Sequence, residues 1–170
     1  NLLFPQIKKT PADYEAIYPP RNLPEGAKVT RLGPSPTGFI HLGNLYGAFV
    51  DERLAHQSGG VFFLRIEDTD DKREVQGAIP MLIQALHHFG VNFDEGATMN
   101  GEVGNYGPYQ QSQRAHIYHA YVKQLVEQNL AYPCFCSEEA RQAAREQQEA
   151  AKDRTGYYGK YAICRNLTPE

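Results

Sequence analysis

The stretch Val29 to Asn44, VTRLGPSPTGFIHLGN, constrains this chain more than any other. Val29, Thr30 and Leu32 favour an extended backbone, and the Gly-Pro-Ser-Pro-Thr-Gly that follows continues neither a strand nor a helix. His-Leu-Gly-Asn then opens an apolar-periodic run, so the order is strand, tight loop, helix N-terminus. A helix start presents unpaired N–H groups and the positive end of its dipole, and Gly38 and Gly43 admit a ligand close to the backbone. This is an anion site in outline. His41 and Asn44, three apart at the helix entrance, can face the same ligand. The plainer reading is one more crossover, with Asn44 or Thr37 as an N-cap and His41 as a surface residue, because short Gly-rich matches also arise by chance.

The spacing of Leu45, Ala48, Phe49 and Leu54 predicts a helix over 42–57 with those residues buried, stopped by Gly59-Gly60. Val61 to Ile66 is a continuous apolar run, the pattern of a strand buried on both faces. Strand, helix and strand make a βαβ unit with parallel pairing, and ligands of such sheets bind beyond the carboxyl ends of the strands. Ser35, Thr37 and His41 are therefore expected near Glu67, Asp68 and Asp70. Those acids belong to Arg65-Ile66-Glu67-Asp68-Thr69-Asp70-Asp71-Lys72-Arg73. An arbitrary charge cluster of this kind is usually a solvated turn. At the end of a buried strand, however, a carboxylate can bind the ammonium of an amino acid.

Further on, Ile79, Leu82, Ile83, Leu86 and Phe89 predict a helix from about 75 to 89, and Tyr118, Tyr121, Val122, Leu125 and Val126 another over 115–128. Ser137, followed by Glu138 and Glu139, reads as the N-cap of a fourth helix. Residues 1–28 carry five prolines and are expected to wrap an edge of the domain, with one short helix over 12–17 and no visible chemistry. A formal net charge of -3 argues against an indiscriminate polyanion binder, so any nucleic-acid surface has to be local. The sequence shows neither a signal peptide nor a membrane span, and its three cysteines, two of them as Cys134-x-Cys136, suit reduced thiols or a metal better than a disulfide framework. A cytoplasmic protein with no membrane partner is the expectation.

Four motifs in order resemble the class I aminoacyl-tRNA synthetases, and the glutamyl-tRNA synthetases in particular. His41-Leu42-Gly43-Asn44 is similar to the class signature His-Ile-Gly-His, and Arg31 with Pro34-Ser35-Pro36-Thr37-Gly38 to the glutamyl branch. Arg65 to Asp70, Asp94-Glu95-Gly96 as a turn, and Gly107-Pro108-Tyr109-x-Gln111-Ser112-x-Arg114 complete the set. The resemblance runs over about 29–166. It implies an α/β fold, the first half of a Rossmann-type parallel-sheet nucleotide-binding domain over 29–106, preceded by an extension over 1–28. The start of an inserted domain that holds the tRNA acceptor stem follows over 107–170.

The resemblance further implies that glutamate is activated with ATP and Mg2+ and transferred to the 3′ end of tRNA(Glu), by a full-length enzyme expected to be monomeric. Arg31, Ser35 and Glu67 would hold glutamate, and Thr37, His41, Gly43 and Asn44 would hold ATP, with His41 and Asn44 catalytic. Asp70, Arg73, Tyr109 and Arg114 would face tRNA. Some relatives bind zinc through Cys-x-Cys, a spacer and Cys-x-His. Here Cys134, Cys136 and Cys164 match and Asn166 replaces the His, which leaves Tyr157, Tyr158, Tyr161, a water or nothing as fourth ligand of a structural Zn2+, the plainer alternative being three cysteines that only pack. Leu32-Gly33 stands where Phe-Ala is usual, a change expected to be tolerated. No Lys-Met-Ser-Lys-Ser-like segment occurs, so the chain resembles the amino-terminal part of a synthetase and is expected not to charge tRNA by itself. The alternatives are a glutamyl-queuosine tRNA synthetase-like enzyme and a non-catalytic nucleotide- or tRNA-binding module.

Overall fold

Strand β1 (Val29–Leu32) and strand β2 (Val61–Leu64) pair in parallel, Val29 opposite Val61 and Leu32 opposite Leu64, and helix α2 (Leu42–Gln57) crosses between them. The computed structural model describes residues 3–38, 40–70 and 75–167. The remaining described elements are α1 (Pro11–Ile17), α3 (Ala78–His88), β3 (Glu95–Thr98), β4 (Gly101–Val103), α4 (Ala115–Glu127) and α5 (Glu138–Ala150). The sheet order is β1-β2-β3-β4, with β3 parallel to β2 and β4 antiparallel to β3. The predicted βαβ unit is therefore present, and the sheet is a parallel one of Rossmann type with a hairpin at its edge.

The chain divides into two compact units. One is Pro5–Ala120, and the other joins the N-terminal residues through Phe4 to the chain from Tyr121 onward. In the first, Phe62, Leu64 and Ile66 of β2 and its extension pack with Leu45, Ala48 and Ala55 of α2 and with Leu82, Ile83 and Leu86 of α3. This is the core that the apolar run after Gly60 promised. On β2 itself, Phe62 and Leu64 are buried while Val61 and Phe63 are half-buried, so the second face is only partly covered.

Several expectations need correction. On α2 the buried stripe is Leu45, Ala48 and Ala55, whereas Phe49 and Leu54 are exposed. Each is one residue, or about 100°, off that stripe, and two alanines let the helix lie close to the sheet. Helix α3 begins at Ala78, after Gly77 as its N-cap, and Phe89 is an exposed C-cap. Pro80 fits because it stands in the first turn, where its missing N–H has no intrahelical partner. On α4, Ile117 and Ala120 are buried with Tyr14 of α1, and the anticipated Tyr121, Val122 and Leu125 are exposed. Periodicity marks an apolar stripe but not which part of it meets a partner.

The sequence reading missed β3 and β4 altogether and took Asp94-Glu95-Gly96 for a turn. Glu95 and Gly96 lie in β3. Gly96 has φ 132°, and a Cβ there would come within 2.7 Å of the Leu64 backbone nitrogen, so only glycine lets β3 approach β2 this closely. Helix α1 and the Ser137 cap of α5, whose hydroxyl accepts the Ala140 N–H at 3.2 Å, are as predicted. Among the described residues no helix is long and apolar enough to cross a membrane.

Candidate active site

Because β1 and β2 are in register, they end side by side, and the loops beyond them are joined. Arg65 N–H donates to the Leu32 carbonyl at 3.0 Å and Glu67 N–H to the Pro34 carbonyl at 2.9 Å. That seam brings the Glu67 carboxylate onto the Arg31 guanidinium, with Arg65 Nη2 3.1 Å from the same oxygen. The Arg31 and Glu67 side chains are 38% and 28% exposed, so the pair lies open to a ligand. Gly33 makes the room. A Cβ there would stand 2.6 Å from Glu67 Oε1 and 3.1 Å from Arg31 Nη1.

Asp68, next in the chain, is turned inward and 7% exposed. It accepts Gln110 Nε2 at 2.6 Å, the Ser112 N–H at 2.9 Å and the Ser112 hydroxyl at 2.7 Å. Burial alone would raise its pKa, but the Ser112 and Gln110 bonds outweigh it and hold the carboxyl below its ordinary range. Ile66 N–H donates to the Tyr109 carbonyl and Gln111 N–H to the Ile66 carbonyl, so 109–112 runs beside the acidic loop like one more strand. Gln110 and Ser112 were not singled out as site residues. Ser112 had a signal, since it belongs to the same motif as Tyr109, whereas Gln110 occupies that motif's unspecified position and had none.

Tyr109 itself is 1% exposed, which leaves no surface for RNA, so its assignment to tRNA contact is corrected to that of a packed aromatic. Its hydroxyl donates to Glu95 Oε2 at 2.6 Å and accepts the Tyr106 N–H. Arg114 Nη1 donates to the Tyr106 and Pro108 carbonyls at 3.1 and 2.8 Å, so its guanidinium braces this loop. Asp70 is half-buried and engaged, while Arg73 lies outside the described residues.

At the entrance of α2 the N-cap is His41, not Asn44 or Thr37. Asn44 is the third helical residue and its Oδ1 accepts the His41 N–H at 3.3 Å. A Cβ on Gly43 would lie 3.2 Å from the His41 ring, so the bare glycine is what seats the imidazole. His41, Ser35 and Thr37 are exposed, and the first turn of α2 is accessible to an anion. The two loops meet through Arg31, Gly33, Pro34 and Glu67 rather than through Ser35, Thr37 and His41, the residues expected beside Glu67, Asp68 and Asp70.

In the second unit, the sulfurs of Cys134, Cys136 and Cys164 all lie within 4.8 Å of one another. The Tyr157 hydroxyl is 3.2 Å from Cys136 Sγ and accepts the Cys164 N–H at 3.2 Å. Tyr158 and Tyr161 are drawn elsewhere, to the Arg154 carbonyl and to Asp153. The Tyr157 hydroxyl and the Phe135 N–H pull the Cys164 thiol down to about 7. Three soft donors with an oxygen beside them fit a tetrahedral zinc ion.

The model of the family "tRNA synthetases class I (E and Q), catalytic domain" matches residues 28–169. The chain belongs to that family. Among its relatives, a glutamate–tRNA ligase of Acetivibrio thermocellus is 65% identical over 171 residues, all of this chain and 31% of that protein. One of Clostridium perfringens strain 13 is 57% identical with the same coverage. Among solved structures, a glutamate-tRNA synthetase from Elizabethkingia anophelis aligns with a TM-score of 0.72 and 37% identity, over 80% of this chain and 27% of that one. A glutamate tRNA ligase from Elizabethkingia meningosepticum in complex with its amino acid aligns with a TM-score of 0.71 and 38% identity, over 81% of this chain and 27% of that one. The chain thus spans about a third of the length of its curated relatives, and the family match over 28–169 takes in the parallel strands and the helix entrance at His41.

Proposed function

We propose that the full-length protein is a glutamate–tRNA ligase and that this chain carries its glutamate pocket and half of its ATP site. The observation that carries the reading is the half-exposed Arg31–Glu67 pair at the carboxyl ends of adjacent parallel strands. A free glutamate matches it charge for charge. Its side-chain carboxylate takes the Arg31 fork through paired hydrogen bonds, and Glu67 turns to its ammonium. Ser35, exposed on the same loop, contacts the amino acid, as the resemblance implies.

ATP, bound with its Mg2+, presents its phosphates to the first turn of α2, where Thr37, His41, Gly43 and Asn44 provide donors. An α-carboxylate oxygen of glutamate bonds to the α-phosphorus, the bond to the β-phosphate oxygen breaks, and pyrophosphate leaves. A ribose hydroxyl at the 3′ end of tRNA then takes the acyl group, gives up its proton, and AMP departs. His41 acts by stabilising charge on the phosphates as it shifts. Asp70, Arg73 and Arg114 remain the residues assigned to the tRNA side. Three free thiols suit a reducing cytoplasm. Cys134, Cys136, Cys164 and Tyr157 would hold a structural zinc, which would supply a crosslink and no catalytic position.

The test is pyrophosphate exchange in the full-length enzyme. Arg31→Ala raises the glutamate KM, and His41→Ala lowers the adenylation rate about a hundredfold, the usual loss for one donor aimed at developing charge. Variants altered only in tRNA affinity overturn the assignment.

A further inference from the structure

We propose that Arg21, which lies upstream of the catalytic-domain match, is a positioning residue for the glutamate site. The inference rests on the function proposed above. The segment that holds Arg21 is proline-rich and shows no chemistry in its sequence, yet the guanidinium is built into the domain. Its two terminal nitrogens lie 2.5 and 2.6 Å from the two Glu95 oxygens, a bidentate pair whose side chains are only 16% and 15% exposed. The guanidinium also covers the Tyr106 ring at 3.7 Å, and the Tyr106 hydroxyl donates back to the Pro19 carbonyl.

From there a short series of bonds leads to the site. Glu95 Oε2 accepts the Tyr109 hydroxyl, and Glu102 Oε1 accepts the Tyr109 N–H at 2.5 Å, which fixes both ends of that residue. The Tyr109 carbonyl takes the Ile66 N–H, and Gln110 and Ser112 clamp Asp68. Glu67 is therefore held on either side, at Ile66 and at Asp68, by one segment, and Arg21 anchors that segment through Glu95. Residues that carry the family resemblance, Glu95 and Tyr109, are thus braced by an arginine upstream of the 28–169 that the catalytic-domain model matches. Removing Arg21 leaves a largely buried carboxylate without its counter-charge, held only by the Tyr109 hydroxyl, and the segment has to shift to hydrate it. Glu67 then loses its aim.

The experiment measures glutamate KM, ATP KM and kcat for Arg21→Met and Arg21→Lys in the full-length enzyme, with Arg31→Ala as reference. Arg21→Met raises the glutamate KM about fivefold or more while kcat and ATP KM change by less than about twofold, and Arg21→Lys, which keeps a charge but no fork, falls between. If Arg31→Ala raises the glutamate KM and Arg21→Met leaves it alone, whatever its Tm, Arg21 only stabilises the fold and the inference is wrong. If neither variant moves it, the glutamate-site reading itself fails. Should Arg21→Met not fold, Glu95→Gln, which keeps the shape and loses the charge, takes its place with the same expected rise and the same refuting result.

Discussion

Gly33 stands where the resembling synthetases usually have alanine, and the structure gives that departure a consequence. An added Cβ would meet Glu67 Oε1 and Cδ at 2.6 and 2.8 Å, the far end of a flexible side chain, so Gly33→Ala turns Glu67 off Arg31 and spares the backbone. An ion pair this exposed contributes about 0–1 kcal/mol, and Tm therefore changes little. Glutamate then no longer has to open the pair in order to bind, so its KM falls by up to about fivefold, the equivalent of that energy. A steady-state titration with glutamate checks this. A rise in KM would mean that Glu67 depends on the contact for its aim. At this scale the sequence was most legible where chemistry is local. The helix start at His41 to Asn44 was legible from its spacing, although the cap proved to be His41, with Asn44 Oδ1 accepting its N–H, and not Asn44 or Thr37. Arg21 was invisible because its partner Glu95 is 74 positions away and no periodic pattern links them.

Between elements, the packing of 109–112 against the loop after β2 decides which acids face solvent and which hold the fold. Of the acids in Glu67-Asp68-Thr69-Asp70, Asp68 is an internal clamp, a division that charge counting could not make. The hairpin of β3 and β4 was illegible for a related reason. Glu-Gly-Ala-Thr has little intrinsic strand preference, and it is extended because Gly96 lets it join β2. The buried hydroxyl of Tyr109 makes this packing measurable. Burial, and then the bond to the Glu95 carboxylate, push its pKa up to about 12 from the usual 10. A group whose folded pKa is raised adds stability that is complete below its unfolded value and is lost as pH climbs through the folded one. Phenolate absorbance should therefore show one tyrosine titrating near 12, absent in Tyr109→Phe, with wild-type stability declining between about 10 and 12. A titration in which every tyrosine ionises near 10 would contradict the buried bond.

For the molecule as a whole, the two compact units differ in what holds them together. Pro5–Ala120 contains the layered core of β2, α2 and α3, whereas the chain from Tyr121 onward leaves Leu130, Phe135, Ile163 and Leu167 exposed and buries little beyond Ala162, Cys164 and Gln148. With so little buried among its described residues, this unit gains from a crosslink, as small scaffolds do. The three thiols are placed to supply one. Cys134 and Cys136 precede α5, and Cys164 lies beyond it, so a metal on all three closes a loop around that helix. Purified without chelator, the protein should carry about one equivalent of zinc, held in a closed structural site. Cys164→Ser should abolish binding, whereas Tyr157→Phe should weaken it, since its hydroxyl is 3.2 Å from Cys136 Sγ. Stripping the metal should raise amide exchange in α5 and leave α2 protected, because only the second unit depends on it. Less than about a tenth of an equivalent in the parent protein, against the one that a closed site holds, would reduce the three cysteines to packing residues.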